Sequence, residues 1–464
     1  MRLSVQSVEV KERPVNFRLA FRFGVVTLTE SPQVFVRLRV RDEAGNETTG
    51  VAAEMLAPKW FDKDTSLSND DNFVQLRQAL RHAADLYRAA GAQTPFGLYA
   101  ACYETQLAQC AADGLGPLVA SYGPALLDRA VLDGACKLSG VSFNQAMAAN
   151  QPGIEVGPLT PDLEGFDIAG FLASRKPLRT LEARHTVGLV DPITVNPEPL
   201  NDGLPETLAE IADTYGHRYY KLKVGGDLDE DIGRLSDIAA VLDGRDYQAS
   251  LDGNEQYKSV DGVVALLDRI EATPTLANLW SRVIFIEQPM TRAVALSQDI
   301  GPIASRKPVI IDESDATLDA FPQALALGYN GVSSKSCKGF YKSTLNAARC
   351  ADGRLAPGRK LFLSAEDLTM QAGIAIQQDL ALVAFLGITH IERNGHHFVN
   401  GMAALSETEQ QSFLDAVPGL YERKAGAVRL KIADGKLDIA SLDRPGFASG
   451  GEPDWSAMSE TFTV

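Results

Sequence analysis

The chain has 464 residues, 45% of them hydrophobic, and a formal net charge of −16 at neutral pH. That length calls for two or three domains with ample core. The acidic excess argues against nucleic-acid and anionic-membrane partners, so an anionic substrate must be drawn in by local cations or a metal.

Residues 1 to about 57 read as an antiparallel meander. LSVQSVEV and QVFVRLRVRD alternate at period two, Asp42 to Asn46 is a turn, and Thr48 to Met55 returns as a strand. The start has no apolar run typical of a signal peptide. DNFVQLRQALRHAADLYRAA, TPFGLYAACYETQLAQCAAD and PALLDRAVLDGACKLSG carry apolar residues at helical spacing. Residues 1–148 are therefore expected to form an α+β domain, and 149–183, with several Pro and Gly, a connecting segment. Five scattered cysteines, Cys102, Cys110, Cys136, Cys337 and Cys350, form no C-x-x-C pair. They predict reduced thiols in a cytoplasmic protein.

Over residues 184–400 the pattern changes to regular strand–helix alternation. The predicted strands are HTVGLVDPI, YYKLKV, YQASLDGN, VIFIEQP, PVIIDES, GVSSKS, KLFLSAED and ITHIER. Eight strands separated by helices imply a closed parallel barrel. The last strand lacks a following helix of comparable quality, giving a (β/α)7β-type TIM-like barrel in an α/β chain. No run of 18 apolar residues predicts a membrane span. Residues 401–464 contain VRLKIADGKLDIAS, a predicted hairpin around Asp434-Gly435. A hairpin has no place in such a barrel, so this segment is expected to return to the first domain and complete a cap.

The chemistry concentrates at the strand ends. Lys223, Asp252, Glu287, Asp312 and Lys335 stand 29, 35, 25 and 23 residues apart. A barrel of eight units spends about 31 residues per unit, which fits one reacting group per strand at a common rim. A carboxylate there is costly to bury unless it is paired or binds a metal. Asp252, Glu287 and Asp312 offer oxygen donors suited to Mg²⁺; the alternative is a salt-bridge ring with the lysines. Lys221 and Lys223 share one strand face. An ammonium beside another and beside a metal has a lowered pKa and can serve as a base, and Lys335 would flank the substrate from the opposite side. Asn254, Glu255 and Glu313 either support these groups or are surface polars.

These motifs resemble the enolase superfamily, in its mandelate racemase/muconate-lactonizing-enzyme-like branch. KLKVGG is similar to that branch's K-x-K motif, LDGNEQY, FIEQP and IDES to its three metal-ligand motifs, and KSCKG to its sixth-strand K-x-x-K-G motif, which contains Lys335 and Lys338. The resemblance implies Lys223 and Lys335 as bases, Lys221 as an auxiliary lysine, and Asp252, Glu287 and Asp312 as ligands to Mg²⁺, with Mn²⁺ as the alternative ion. It also places Glu366 near the substrate, a small-molecule carboxylate. The implied reaction abstracts the proton α to the carboxylate through an enediolate, as in a racemase, epimerase or cycloisomerase. A dehydratase and a catalytically silent metal-binding member of the fold are the alternatives. NFRLAFRFGVV and AEMLAPKWFD would be cap loops over the mouth, and a homo-oligomer is expected.

The chain departs from the family pattern at Phe340, where a second Gly is usual, and at TPTLANLWSR, which reads as an inserted loop. Glu392-Arg393-Asn394-Gly395-His396-His397 fits no motif; it is either a polar loop or a place where Arg393 or a histidine reads a substrate anion. His82, His185 and His217 are expected to be structural.

Overall fold

The computed structural model describes residues 1–24, 26–368 and 371–464. Val25, in the NFRLAFRFGVV segment, and Thr369 and Met370, in the segment expected to be helical after the seventh barrel strand, lie outside the described residues.

Three long antiparallel strands open the chain: β1 (Leu3–Phe23), β2 (Val26–Asp42) and β3 (Glu47–Met55). Alternation along β2 buries Val34, Val36, Leu38 and Val40, the apolar half of a two-faced sheet. Helices Asn69–Ala89, Pro95–Ala112 and Tyr122–Ser139 cover this domain. The first starts in a Ser68–Asp71 capping box. The second starts with Thr94 as cap and Pro95 behind it. Gly50 of β3 lies against the third helix, where a Cβ would stand 1.8 Å from the Ala130 carbonyl oxygen, so only glycine permits the crossing.

The cap segment NFRLAFRFGVV is not a loop. β1 and β2 pair at Asn16↔Glu30, part at an irregularity, and pair again from Phe21↔Leu28 to Phe23↔Val26, so its described residues belong to the end of one hairpin. Its aromatic residues suit a strand better than a loop.

The barrel strands are β4 (Thr180–Val187), β5 (Tyr219–Lys223), β6 (Gln248–Asp252), β7 (Val283–Glu287), β8 (Val309–Ile311), β9 (Gly331–Ser334), β10 (Phe362–Ala365) and β11 (His390–Arg393). Each pairs in parallel with the next, and β11 closes on β4. β4 begins at Thr180, within the segment expected to be a connector. The insertion before β7 folds as a helical turn, Pro274–Leu276, and a short helix, Ala277–Arg282.

The C-terminal expectation needs correction. The turn at Asp434-Gly435 forms with positive φ at both residues, 49° and 74°, and Ala433 and Lys436 pair across it, but the longer flanks do not continue as one hairpin. β13 (Ala427–Leu430) pairs with β12 (Tyr421–Lys424), whereas β14 (Lys436–Asp438) pairs antiparallel with β4 of the barrel. The cause is an open edge. β5 joins β4 only from Arg184 onward, leaving Thr180–Glu182 unpaired on that side, and a free strand edge takes up another strand. It is β15 (Ser459–Thr463) that reaches the cap, along β1. No described helix is long and apolar enough to cross a membrane.

Candidate active site

Barrel register sets the height of the site. Lys223 pairs with Asp252, and Asp252 with Glu287, so three reactive side chains leave one rung at the C-terminal ends of β5, β6 and β7. Asp312 directly follows β8, and Lys335 follows β9. All five are buried, as is Lys221.

The turns after these strands are strained and tied together. Asn254, Glu255 and Gln288 adopt φ values of 39°, 69° and 33°. Left-handed backbone at a residue other than glycine persists only where its surroundings enforce it. Here Glu255 N–H donates to the Gln288 carbonyl at 2.9 Å. The Gln288 side-chain oxygen accepts from the N–H groups of Asp312 (2.9 Å) and Ser314 (3.1 Å). A Cβ at Gly253 would lie 2.6 Å from Pro289 Cα. The three acidic motifs are thus locked to one another through backbone groups and the Gln288 side chain.

Lys221 Nζ stands at the centre, 2.9 Å from Asp252, 2.8 Å from Glu287, 2.9 Å from Glu366 and 3.1 Å from Glu392. Lys223 Nζ donates to Asp252 and to Asn254 Oδ1, both at 2.5 Å. Lys335 Nζ meets Asp312 at 2.6 Å and lies 4.3 Å from the centre of the Trp60 ring above it. Lys338 lies 3.4 Å from Asp312 and 3.0 Å from Asp315.

Burial opposes the charges on Lys221 and Lys335, but the adjacent carboxylates outweigh it and raise both pKa values. The lowered amine pKa expected beside a second ammonium and a metal thus depends on the metal, since the carboxylates alone raise both. Burial likewise opposes ionisation of Asp312, yet Lys335 and Lys338 hold its carboxyl well below the usual range. Glu287 goes the other way: burial, then Asp252 and Glu366, push it well up.

That crowding bears on metal binding. Glu287 Oε2 and Glu313 Oε2 are buried and accept no hydrogen bond. Lys221 approaches Glu287 Oε2 to 2.8 Å, but its hydrogen bond goes to Oε1. A ring of buried acids, with Glu287 held on one side by Lys221 alone and Glu313 Oε2 accepting no hydrogen bond from the described residues, fits a hard divalent cation.

A profile of the family described as enolase C-terminal domain-like matches residues 204–447, more than half of the chain. The chain belongs to the enolase superfamily. No curated protein matches it by sequence. Among solved structures, a dipeptide epimerase from Cytophaga hutchinsonii, complexed with Mg and the dipeptide D-Ala-L-Val, is similar at 15% identity and TM-score 0.61, with 100% of both chains covered. An enolase from Bradyrhizobium, complexed with magnesium and mandelic acid, is similar at 17% identity and TM-score 0.60, covering 100% of this chain and 99% of its own. The L-Ala-D/L-Glu epimerase of Bacillus subtilis gives 18% identity and TM-score 0.58, covering 97% of this chain and 100% of its own. At these identities the likeness shows the fold.

The remaining predicted residues of this enolase-superfamily chain divide into two groups. Asn254 bridges Lys223 and Glu313, donating to the latter at 3.1 Å. Glu366 holds Lys221 on one side and Arg184 on the other. Glu255 faces outward to Arg292, 2.8 Å away. Arg393 is not brought to the mouth. Its guanidinium pairs with buried Asp379 at 2.5 Å and lies 4.0 Å from Asp367, which holds it among protein carboxylates. Arg393→Ala would leave Asp379 buried without its cation, at a cost of about 3–5 kcal/mol. Thermal unfolding should register that loss, with KM unchanged in the folded fraction. A stable variant with a raised KM would return Arg393 to the substrate.

The two cap segments expected over the mouth do contribute to it, and the structure adds Glu392, which motif reading left unassigned, and Lys63. Glu392 is the penultimate residue of β11 and reaches Lys221 at 3.1 Å. Phe21, Phe23 and Trp60 of the cap line a small cavity together with Lys221, Lys223 and Lys335. Lys63 reaches from the cap to Glu255 and Glu313, 3.4 Å from each. A larger cavity of about 730 Å³ opens near the start of β10 and β11, lined by Phe285, Phe362 and His390, and no carboxylate side chain lines it. Its volume exceeds that of the mouth, but reacting groups in this architecture gather at the C-terminal strand ends.

Proposed function

We propose that the chain transfers a proton at the carbon α to a substrate carboxylate, as a racemase or epimerase, with Lys223 and Lys335 as the acid–base pair. The observation that carries this reading is the placement of two buried amines across one mouth. β5 and β9 are four strands apart in a ring of eight, so the two side chains approach a bound substrate from opposite faces. Asp252, Glu287 and Asp312 would hold Mg²⁺. When bound, Mg²⁺ would bring positive charge to the substrate carboxylate and offset the charge that develops as the α-proton leaves.

The chain's own residues do the rest. Asp252 and Asn254 orient Lys223 Nζ, and Asp312 and the Trp60 ring orient Lys335 Nζ. Either amine, when neutral, takes the α-proton, and the opposite ammonium returns one to the other face. Lys221 holds Asp252, Glu287, Glu366 and Glu392 in place. Phe21, Phe23, Leu28, Trp60 and Leu368 give the cavity an apolar roof, which suits a carboxylate bearing an apolar or aromatic group. They also exclude water from the proton transfer. Dehydration of an acid sugar by a His–Asp pair has less support, since Lys335 follows β9 and Glu366-Asp367 follow β10.

Incubating Mg²⁺-loaded protein with a library of chiral carboxylates in D₂O tests the reading. Deuterium should appear at the α-carbon of at least one apolar member. No exchange across amino-acid, dipeptide and hydroxy-acid sets would sink it.

A further inference from the structure

Away from the mouth, four of the chain's six histidines meet on the outer wall of the barrel. His185 lies on β4, His217 just before β5, and His396 and His397 in the turn after β11. Arg184 and Thr186 point into the barrel, to Glu366 and Glu392, so strand alternation turns His185 outward. The ring centres of His185, His217 and His396 form a near-equilateral triangle with sides of 5.5, 5.4 and 5.3 Å. One nitrogen or another of each ring falls within 4.8 Å of its partners.

These rings lack the partners that buried imidazoles normally have. His185 Nδ1, His217 Nε2, and both nitrogens of His396 and His397 are buried and make no hydrogen bond among the described residues. Most buried polar side-chain atoms are paired, and several orphans side by side point to a missing partner. His217 is already arranged for one. Its Nδ1 lies 2.9 Å from the Ala183 carbonyl oxygen, which fixes the proton there and leaves Nε2 as a free lone pair, as in imidazoles that ligate metals. Nearby cations are engaged elsewhere, Arg18 with Asp202 and Arg393 with Asp379.

We infer that His185, His217 and His396 form a second metal site, for a transition-metal ion of the Zn²⁺ class. Three imidazoles around one tetrahedral ion, at about 2.0–2.1 Å each, carry their ring centres about 5 Å apart, close to the triangle observed. Neutral imidazole prefers such ions to Mg²⁺, which takes oxygen ligands. Burial depresses all three histidine pKa values, and the neighbouring rings add to this at His185 and His396, which favours the neutral form that ligation needs. His396 is partly exposed and offers the way in. His397, whose ring centre is 5.2 Å from that of His185, or a water can complete the fourth position. An ion here would tie β4, the approach to β5 and the turn after β11 together across the seam where the barrel closes.

Co²⁺ titration of the full chain, stripped with chelator, tests this independently of catalysis. One equivalent should produce the intense visible absorption of tetrahedral Co²⁺. His217→Ala and His396→Ala should each abolish it, while Asp252→Ala keeps it. His396 is the partly exposed member, so its variant decides the matter if His217→Ala fails to fold. A wild-type chain with no such band, or a band that survives His396→Ala in folded protein, would overturn the site. Loss on Asp252→Ala alone would do the same, by moving the ion to the mouth.

Discussion

At Mg²⁺ about 100 times its dissociation constant, the wild-type chain should gain about 2.7 kcal/mol of stability, and Asp252→Ala, Glu287→Ala and Asp312→Ala should each gain none. The motive is the crowding of these acids: Glu287 is forced up in pKa by burial and its neighbours, and one of its oxygens accepts no hydrogen bond. A divalent ion relieves both. Each Ala variant also unbalances a lysine, since Lys221 and Lys223 lean on Asp252, and Lys335 on Asp312. Comparing each variant with and without Mg²⁺ removes that cost from the measurement. Differential scanning calorimetry gives the gain, and isothermal titration gives the affinity. Unchanged Mg²⁺ affinity in all three variants would refute the assignment.

Lys223→Ala and Lys335→Ala should each slow α-proton exchange by about 10²–10⁴-fold, the usual worth of a positioned general base, but for opposite enantiomers. Each lysine rises from its own side of the ring, so each meets one face of the planar species left after deprotonation. For a racemase or epimerase, Lys223→Ala blocks exchange from one enantiomer and Lys335→Ala from the other. For a cycloisomerase or an eliminating enzyme, only one lysine is the base, and exchange is confined to one configuration in wild type. NMR of each pure enantiomer in D₂O separates the two. Wild-type exchange rates in the double Ala variant would remove both lysines from the mechanism.

The barrel and its rim were legible because they rest on local signals. Short apolar runs ending in Asp252, Glu287 and Asp312 announce themselves in order, and parallel pairing of neighbours follows from the alternation. What escaped reading depends on pairing across the chain. β4 begins earlier than expected because LEARH carries charges. Those charges point into a barrel interior where Glu366 receives Arg184, and no local pattern reveals that partner. Arg393 stayed open between a polar loop and a substrate contact for the same reason, its partner Asp379 lying in the preceding helix, Ile374–Leu386. β14 was misplaced because a turn at Asp434-Gly435 reads as a hairpin, while the edge it joins exists only once β5 starts late along β4. The histidine triangle is invisible in one dimension, its members being brought together by barrel closure alone.

The pairing of β15 with β1 has a consequence for how the chain comes into being. β1 is bordered by β2 on one side, yet its other edge is completed by residues 459–463, made far later. Between them the whole barrel must be made and closed. An emerging cap therefore carries an open strand edge throughout translation, a surface prone to pairing with other chains. Formation of the finished sheet is tied to non-local contacts, which fold slowly. Cap and barrel consequently cannot be exchanged between relatives as a simple N-terminal graft, because the graft would leave behind the strand that seals it.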